Sequence, residues 1–198
     1  SLAPRLKEIK LSKAVDLPIF LWGKDQKYQF HLGEINGVIG FTGAGKTELI
    51  RQLSYGIKKV GGVLSYTPQV PYVYDDHFQN NIFMGAEPTA KELEKLEVLV
   101  EVFGLDDITG NFQDLLSLPL GENGKRLSGG QIKRMCLIRS LLSEGDYLIW
   151  DDPFSSVDLI LEKEIMNKIK ELHLIKNKTI ILTSHRASTI KFCSTITM

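Results

Sequence analysis

The feature that most constrains the fold is a glycine-rich stretch between an apolar run and an amphipathic pattern. Residues 40–47 read Gly-Phe-Thr-Gly-Ala-Gly-Lys-Thr, which fits the spacing G-x-x-x-x-G-K-[ST] in full. The run Ile35–Ile39 before it predicts a buried strand. The apolar residues after it share one face of a predicted helix: Leu49, Ile50, Leu53, Ile57 and Val60. A strand, a glycine loop and a helix in this order predict an α/β chain with an anion site at the helix N-terminus.

The glycine loop has the chemistry of a nucleoside-triphosphate site. Its glycines let backbone N–H groups surround phosphate oxygens where a side chain would collide, and the positive end of the helix faces the same anion. In loops of this kind the ammonium of Lys46 reaches the β- and γ-phosphates, and the hydroxyl of Thr47 binds Mg²⁺. The residues predicted to bind nucleotide here are Thr42, Gly43, Ala44, Gly45, Lys46, Thr47 and Glu48.

The rest of the chain alternates between strand and helix patterns. Predicted strands lie at 63–67, 147–150 and 179–183. Predicted helices lie around 89–103, 128–141 and 161–172. This alternation predicts a parallel sheet with helices on both faces. Segments 19–22 and 28–32, on either side of the polar residues 23–26, predict a strand pair at the N-terminal side.

These patterns predict one domain of the α/β class. We expect a P-loop core with a mostly parallel sheet flanked by helices, a small N-terminal antiparallel β part and a helical subdomain. The 198 residues suit a single domain. The core is expected at about 20–70 and 143–198, and the helical subdomain at about 71–142. Within that subdomain Thr89 with Glu92 predicts a capping box, and Ser128 predicts an N-cap.

Composition excludes several classes of protein. The chain has 24 basic and 24 acidic side chains, so a nucleic-acid partner is not expected. Two cysteines, Cys136 and Cys193, make neither a disulfide framework nor a metal cluster, and they suit a reducing compartment. No apolar run approaches the ~18 residues that a membrane span needs, so this domain is expected to be soluble.

A second part of the nucleotide site is predicted at the end of the strand 147–150. Asp151 follows three apolar residues, which places a carboxylate at the C-terminal edge of a parallel sheet. A carboxylate at that edge can hold Mg²⁺ through water. Alone this pattern is typical of an ordinary turn, and its proximity to a phosphate loop gives it weight.

Residues 127–131, Leu-Ser-Gly-Gly-Gln, are the most specific motif in the chain. Ser128 offers a hydroxyl and the glycines offer amides at the start of a helix, which is a second anion site. With this motif the sequence resembles the ATP-binding cassette family across about residues 20–198. The resemblance implies that two cassettes pack head to tail, each ATP lying between one phosphate loop and the other cassette's Ser128, Gly129, Gly130 and Gln131.

The resemblance also assigns roles to isolated polar residues. Gln69, after Tyr66-Thr67-Pro68, is similar to the family's loop glutamine, which touches Mg²⁺ or the attacking water and couples to a transmembrane partner. Residues 155–158, Ser-Ser-Val-Asp, resemble the D-loop that crosses the dimer interface. His185 resembles the switch histidine that contacts the γ-phosphate. The resemblance implies catalytic roles for Gln69 and His185, and Mg²⁺ ligation by Thr47, Gln69 and Asp151.

The residue that stacks on adenine is open at this point. Family members place an aromatic side chain upstream of the phosphate loop, and stacking suits a flat, apolar base. Trp22 lies at the end of a suitable strand. Phe20 and Tyr28 are rivals, and core packing is an alternative for Trp22.

The sequence is most similar to exporters, in particular to the first cassette of subfamily C, the multidrug-resistance-associated exporters. The similarity rests on 69–85 (Gln-Val-Pro-Tyr-Val through Asn-Asn-Ile-Phe-Met-Gly), 120–124 and 151–158. It implies an ATPase that binds Mg-ATP and powers transport, with transmembrane domains and a second cassette as partners, at the cytoplasmic face of a membrane. Alternatives are a nucleotide-gated switch with little hydrolysis and a soluble, non-transport ATPase of the same family.

Asp152 departs from the family pattern, in which a glutamate acts as the general base for the attacking water. Aspartate keeps the charge but is one methylene shorter, and proton transfer requires hydrogen-bond reach. A misplacement of about 1 Å can reduce a rate about a hundredfold. We therefore expect catalysis through Asp152 to be slow.

The segment 70–74, Val-Pro-Tyr-Val-Tyr, is a candidate contact for a transmembrane domain if it is exposed. The alternative is a loop that packs on the helical subdomain.

Overall fold

The computed structural model describes residues 14–21, 24–41, 43–175 and 177–197. It divides into two compact units. The first consists of the chain up to Thr67, Glu144–Asp152 and the residues from Ile175 onward. The second consists of Pro68–Ser143 and Pro153–Leu174. The two units are described separately below.

The first unit holds strands and the helices that connect them. Its strands are β1 (Ala14–Leu21), β2 (Lys24–His31), β3 (Ile35–Ile39), β4 (Leu64–Thr67), β5 (Tyr147–Asp151), β6 (Thr179–Ser184) and β7 (Thr195–Thr197). Its helices are α1 (Lys46–Lys59) and the short α7 (Ala187–Ile190). The predicted strand–loop–helix order around the glycine loop is confirmed by β3 and α1.

The predicted parallel sheet is confirmed. Five strands lie in the order β4-β5-β6-β3-β7, and every pairing between neighbours is parallel. After β3 the chain passes through α1 and enters the sheet at its far edge as β4. The chain that leaves β6 re-enters the sheet as β7, on the other side of β3. In open sheets of this kind ligands bind beyond the carboxyl ends of the strands, where the winding reverses.

The apolar face predicted for α1 forms part of the core of the first unit. Leu53 and Ile57 are almost fully buried and pack with Val38, Ile149 and Ile181 of the sheet. The same cluster contains Phe30, whose ring meets Tyr147 edge-on at 6.0 Å between centroids. The helix ends at Lys59, and its C-cap residue is Val60, directly before the two glycines at 61 and 62.

The N-terminal strand pair is antiparallel, as predicted, but longer. Its register runs from Ala14 opposite His31 to Leu21 opposite Lys24. The polar residues 24–26, which separate the two strand segments predicted from the sequence, lie within β2. Strand pairing uses the main chain, so a polar run can continue a two-stranded ribbon when the connection is short.

The second unit is helical in the residues that the structure describes. Its helices are α2 (Phe78–Phe83), α3 (Ala90–Val102), α4 (Phe112–Leu116), α5 (Gly129–Leu142) and α6 (Leu159–Glu171), with short 3-10 turns at Asp106–Ile108 and Glu122–Gly124. The predicted capping box of α3 is confirmed, with Thr89 as N-cap and Glu92 closing the box. Buried side chains from several helices form the core, among them Phe78, Leu96, Leu115, Met135 and Ile165.

The boundaries of the two units differ from the expected ones at residues 68–70 and at 153–174. Residues 153–174 group with the helical unit rather than with the sheet, because α6 contacts α3. Periodicity predicts the helix α6 but carries no information about which neighbours it contacts. Across the described ranges, no helix combines the length and the apolar character that a membrane crossing requires.

Candidate functional site

The candidate site of the first unit lies at the carboxyl ends of three neighbouring strands. In register, Thr183 of β6 lies between Val38 of β3 and Asp151 of β5. The glycine loop leaves the end of β3, while Asp152 and His185 follow the ends of β5 and β6. The sheet therefore brings the predicted loop, the predicted carboxylates and the predicted histidine to one edge.

The glycine loop has the backbone geometry of an anion cradle. Gly43 and Gly45 have φ angles of 83° and 87°, a region that non-glycine residues rarely adopt. A Cβ at Gly43 would meet no atom within 4 Å, so the space beside the loop is open. The Lys46 ammonium lies over this loop and donates to the Gly40 and Phe41 carbonyl oxygens at 2.6 and 3.0 Å. The predicted residue Thr42 lies outside the described residues.

The first turn of α1 offers main-chain donors to an anion. The helical ladder begins with the Leu49 N–H, which donates to the Gly45 carbonyl at 2.9 Å, so the N–H groups of Lys46, Thr47 and Glu48 precede it. The carboxylate of Glu48 instead binds Arg51, with distances of 2.7 and 2.8 Å. Hydrogen bonds from Arg51 and then from Gln52 lower the pKa of Glu48 to about 2. The Glu48 side chain is therefore held by Arg51 and Gln52 on its own helix.

Both carboxylate oxygens of Asp151 have a hydroxyl partner. Thr183 Oγ1 donates to Asp151 Oδ1 at 2.7 Å, and the phenol of Tyr66 reaches Oδ2 at 3.4 Å. Asp151 is 7% exposed and Thr183 is fully buried. Burial, and then the negative charge of Asp151, raise the pKa of Tyr66, which keeps its phenol protonated as a donor. Asp151 is thus a carboxylate of fixed orientation at the sheet edge, and its oxygens are potential metal ligands.

Asp152 and His185 lie together. The distance from His185 Nδ1 to Asp152 Oδ1 is 3.4 Å, and the histidine side chain is 60% exposed against 14% for the aspartate. The backbone of Asp152 is left-handed, with φ of 48°, and its N–H donates to Thr183 Oγ1 at 2.8 Å. Aspartate is among the non-glycine residues that tolerate this region best. The structure therefore pairs the predicted base with the predicted switch histidine.

The oxygens at this edge fit Mg²⁺ bound together with phosphates. Thr47 and Asp151 supply a hydroxyl and a carboxylate, which are hard oxygen ligands. Among the described residues no group of three or more His, Cys, Asp or Glu side chains could hold a metal ion. Magnesium in phosphate sites uses one or two protein oxygens, with water and phosphate oxygens completing the shell. This donor set fits that mode and does not form an all-protein metal centre.

In the second unit, the start of α5 is closed by a capping box. The Gln131 N–H donates to Ser128 Oγ at 3.2 Å, and the Ser128 N–H donates to Gln131 Oε1 at 2.8 Å. The N-cap role of Ser128 was predicted, whereas the partnership of Gln131 was not, although the spacing S-x-x-Q signals it. Two residues of this motif (127–131, called the signature motif below) therefore have a structural role in this helix.

The two glycines of the motif differ in their surroundings. A Cβ on Gly130 would lie 2.6 Å from the Ser156 carbonyl oxygen, whereas a Cβ on Gly129 would meet nothing within 4 Å. Close to Gly130, the buried Lys133 donates through Nζ to the hydroxyl of Ser155. The D-loop candidate therefore packs directly on the first turn of α5. The space beside Gly129 is open, as an anion site at a helix N-terminus requires.

Gln69 and the segment 70–74 belong to the second unit. Residues 69–73 line a cleft of about 760 Å³ together with Gly129, Lys133 and Ser156. The segment is partly exposed: Val70 is 84% and Tyr72 is 62% accessible, whereas Val73 is buried. The condition of exposure, on which the candidate contact depends, is met at Val70 and Tyr72.

One side chain fastens this segment to α5. The Arg139 guanidinium donates to the Tyr72 carbonyl at 3.0 Å and to the Asn81 carbonyl at 2.6 Å. It also lies over the Tyr74 ring, 5.9 Å from its centroid. Asn81 is fully buried and accepts from the Tyr74 N–H at 2.8 Å. The tyrosines are therefore presented by the C-terminal half of the signature helix.

Sequence reasoning missed three residues in these sites. Tyr66, Thr183 and Lys133 were not predicted to contribute, although Tyr66 lies in the motif that precedes Gln69 and Thr183 ends a predicted strand. The signal for Thr183 is its register opposite Asp151, which only strand pairing supplies. The predicted stacking residue Trp22 lies outside the described residues.

Comparison with known proteins shows the family. The sequence profile described as "ABC transporter" matches residues 24–155, and the chain belongs to that family. The chain is 32% identical over 170 residues to the glutathione/L-cysteine transport system ATP-binding/permease protein CydC of Bacillus subtilis, covering 76% of this chain and 29% of that protein. It is 31% identical over 171 residues to ABC transporter C family member 6 of Dictyostelium discoideum, covering 83% and 12%.

Other comparisons agree with an exporter-type cassette. The chain is 29% identical over 174 residues to a putative export ATP-binding/permease protein of Rickettsia typhi, covering 78% of this chain and 30% of the relative. Its fold matches the structure of a bacterial Atm1-family ABC exporter with ATP bound, with a TM-score of 0.75 and 21% identity, over 93% of this chain and 36% of that one. The chain spans less than a third of the length of these curated relatives. The family membership and the fold class expected from the sequence are confirmed, and so is the ATP-binding function of the family.

The packing of the D-loop candidate on α5 predicts opposite effects for two neighbouring substitutions. Gly130→Ala forces the Ser156 carbonyl away and should destabilise the chain by about 1–3 kcal/mol. Gly129→Ala meets open space and should be neutral or stabilising by up to about 1 kcal/mol. Urea unfolding of both variants without nucleotide measures this difference. Equal midpoints for the two variants would contradict the close packing.

Proposed function

We propose that this chain binds Mg-ATP between its own glycine loop and the signature motif of a second cassette, and hydrolyses it to power a membrane exporter. The observation that carries the proposal is the sheet edge at which the glycine loop, Asp151, Asp152 and His185 meet. Membership in the ABC transporter family supports it. In this proposal the domain acts at the cytoplasmic face of a membrane.

Each residue at the edge has a chemical task in the proposal. Main-chain N–H groups of the loop and of the first turn of α1 bind phosphate oxygens, and Lys46 supplies positive charge. Thr47, Asp151 and Gln69 would hold Mg²⁺, which would supply positive charge beside the phosphates. Asp152 takes a proton from the attacking water, and His185 contacts the γ-phosphate. The exposure of His185 leaves it accessible to nucleotide.

The second cassette supplies the other side of the nucleotide. In the head-to-tail arrangement Ser128 and the amides at Gly129 and Gly130 of one chain face the ATP bound by the other. The open space beside Gly129 supports this role. Gln131 supports it indirectly, because its capping box fixes the orientation of Ser128.

Asp152 favours slow hydrolysis. Its carboxylate is one methylene shorter than that of a glutamate and lies close to His185, which reduces its hydrogen-bond reach toward the attacking water. A second candidate function follows from the same residue, namely a nucleotide-gated switch in which ATP closes the dimer with little turnover. Retention of Gln69 and His185 favours the ATPase.

We predict that Asp152→Glu raises Mg-ATP turnover about tenfold or more, because the longer side chain extends the reach of the base. Asp152→Asn, which keeps the shape but removes the charge, should lower turnover while nucleotide affinity stays the same. Turnover should be measured across a range of protein concentrations, and it should rise with concentration if dimers form the site. Negligible turnover in wild type and Asp152→Glu, despite tight binding, would favour the switch.

The segment 70–74 is the proposed contact with a transmembrane domain. Val70 and Tyr72 expose apolar surface, and the segment shares a cleft with Gln69 and with the start of α5. A contact at this place can reach the predicted Mg²⁺ ligand and the signature motif through atoms of one unit. This arrangement suits the coupling of nucleotide chemistry to a membrane partner.

The docking proposal predicts position-specific crosslinking in cells. A photoreactive residue at Tyr72 should crosslink to a segment of a protein with several membrane-spanning helices, identified by mass spectrometry. The control position is Tyr55, which is 67% exposed but lies on α1. Equal crosslinking of both positions to the same products would rule out specific docking. The double substitution of Val70 and Tyr72 to alanine should abolish the crosslink from a reporter at position 74.

A further inference from the structure

We propose that Thr183 is a positioning residue for nucleotide hydrolysis, because a single hydroxyl fixes both the Mg²⁺ carboxylate and the backbone of the general base. This inference rests on the proposed function of the sheet edge. It adds a residue whose role neither the sequence motifs nor the comparisons assign.

The first contact orients the carboxylate of Asp151. Thr183 Oγ1 donates a hydrogen bond to Asp151 Oδ1 at 2.7 Å, and both side chains are buried. With Oδ1 engaged and Oδ2 facing the phenol of Tyr66 at 3.4 Å, the plane of the carboxylate is defined from two sides. A metal-bound water approaching Asp151 therefore meets an acceptor of fixed orientation.

The second contact holds the backbone of Asp152. Its N–H donates to the same Thr183 oxygen at 2.8 Å, where the chain turns into the left-handed region at φ of 48°. That turn directs the carboxylate of Asp152 to within 3.4 Å of His185. Loss of the N–H acceptor would release a strained backbone, and the position of the base would change with it.

Threonine suits this double task for two reasons. A hydroxyl has one donor and two acceptor lone pairs, so it can donate to one neighbour while accepting from another. A β-branched side chain in a strand has few χ1 rotamers, so the oxygen stays in place. The parallel register sets Thr183 directly beside Asp151, which brings the hydroxyl to both groups.

The test compares Thr183→Val with a matched control on the same strand. Valine keeps the shape but removes the hydroxyl, whereas Thr183→Ser restores it. Thr179→Val is the control, because Thr179 is also buried in β6 and its hydroxyl accepts from the Gly33 N–H at 2.9 Å, at the opposite end of the strand. If Thr183→Val does not fold, Thr183→Cys replaces it, since a thiol keeps the volume but is a weak donor and acceptor.

Two quantities are measured on the full chain. Calorimetric titration with a non-hydrolysable ATP analogue, with and without Mg²⁺, reports binding without turnover. Thr183→Val should lose about tenfold or more of the affinity gained from Mg²⁺, while metal-free binding stays within about twofold of wild type. The kcat for Mg-ATP should fall about tenfold or more, and because hydrolysis is slow the KM should rise in step with the loss of Mg²⁺-dependent affinity. Thr183→Ser should restore both quantities, and Thr179→Val should leave both unchanged.

The outcomes separate this inference from the proposed function. If wild type shows no Mg²⁺-dependent binding of the analogue, the proposed function fails. If wild type shows it and Thr183→Val behaves like Thr179→Val in both measurements, the inference is overturned. If Thr183→Ser is as impaired as Thr183→Val, the role of residue 183 is packing rather than hydrogen bonding, and the inference is likewise wrong.

Discussion

The position of β6 between β5 and β3 is the constraint on which the candidate site depends. Because all three strands are parallel and in register, Val38, Thr183 and Asp151 lie side by side and the segments that follow leave at one edge. A slip of one residue in β6 would turn the Thr183 side chain to the other face of the sheet. The glycine loop, the carboxylates and the histidine belong to distant parts of the sequence, and only this pairing brings them together.

The local signals in the sequence predicted much of this structure. The glycine loop, the face of α1, the capping of α3 and the strand ending at Asp151 depend on neighbours within a few residues, so a pattern can specify them. The role of Thr183, the contact of Gly130 with Ser156 and the grouping of α6 with α3 depend on tertiary packing. Residue spacing carries no information about such contacts, and these were the features that the sequence did not predict.

The signature motif shows that the same stretch of residues can be required both by folding and by the proposed ligand binding. Ser128 and Gln131 close the helix α5 through a capping box, and Gly130 admits the Ser156 carbonyl, so all three residues have structural reasons within one unit. Gly129 has no such neighbour, and its backbone is the part of the motif most open to a ligand. Sequence specificity at a helix start therefore combines folding requirements with the proposed binding role, and variation there affects both.

The contacts of the Arg139 guanidinium have a consequence for how the surface of residues 70–74 can change during evolution. The exposed ring of Tyr72 is set by a guanidinium that binds its carbonyl and also lies over Tyr74. A lysine at position 139 would keep the charge but lose the planar, multidentate geometry. A substitution at Arg139 would thus change the shape of the surface that Tyr72 presents to a neighbouring protein. In two proteins that evolve together, compensating substitutions would then include positions behind the contact surface as well as positions on it.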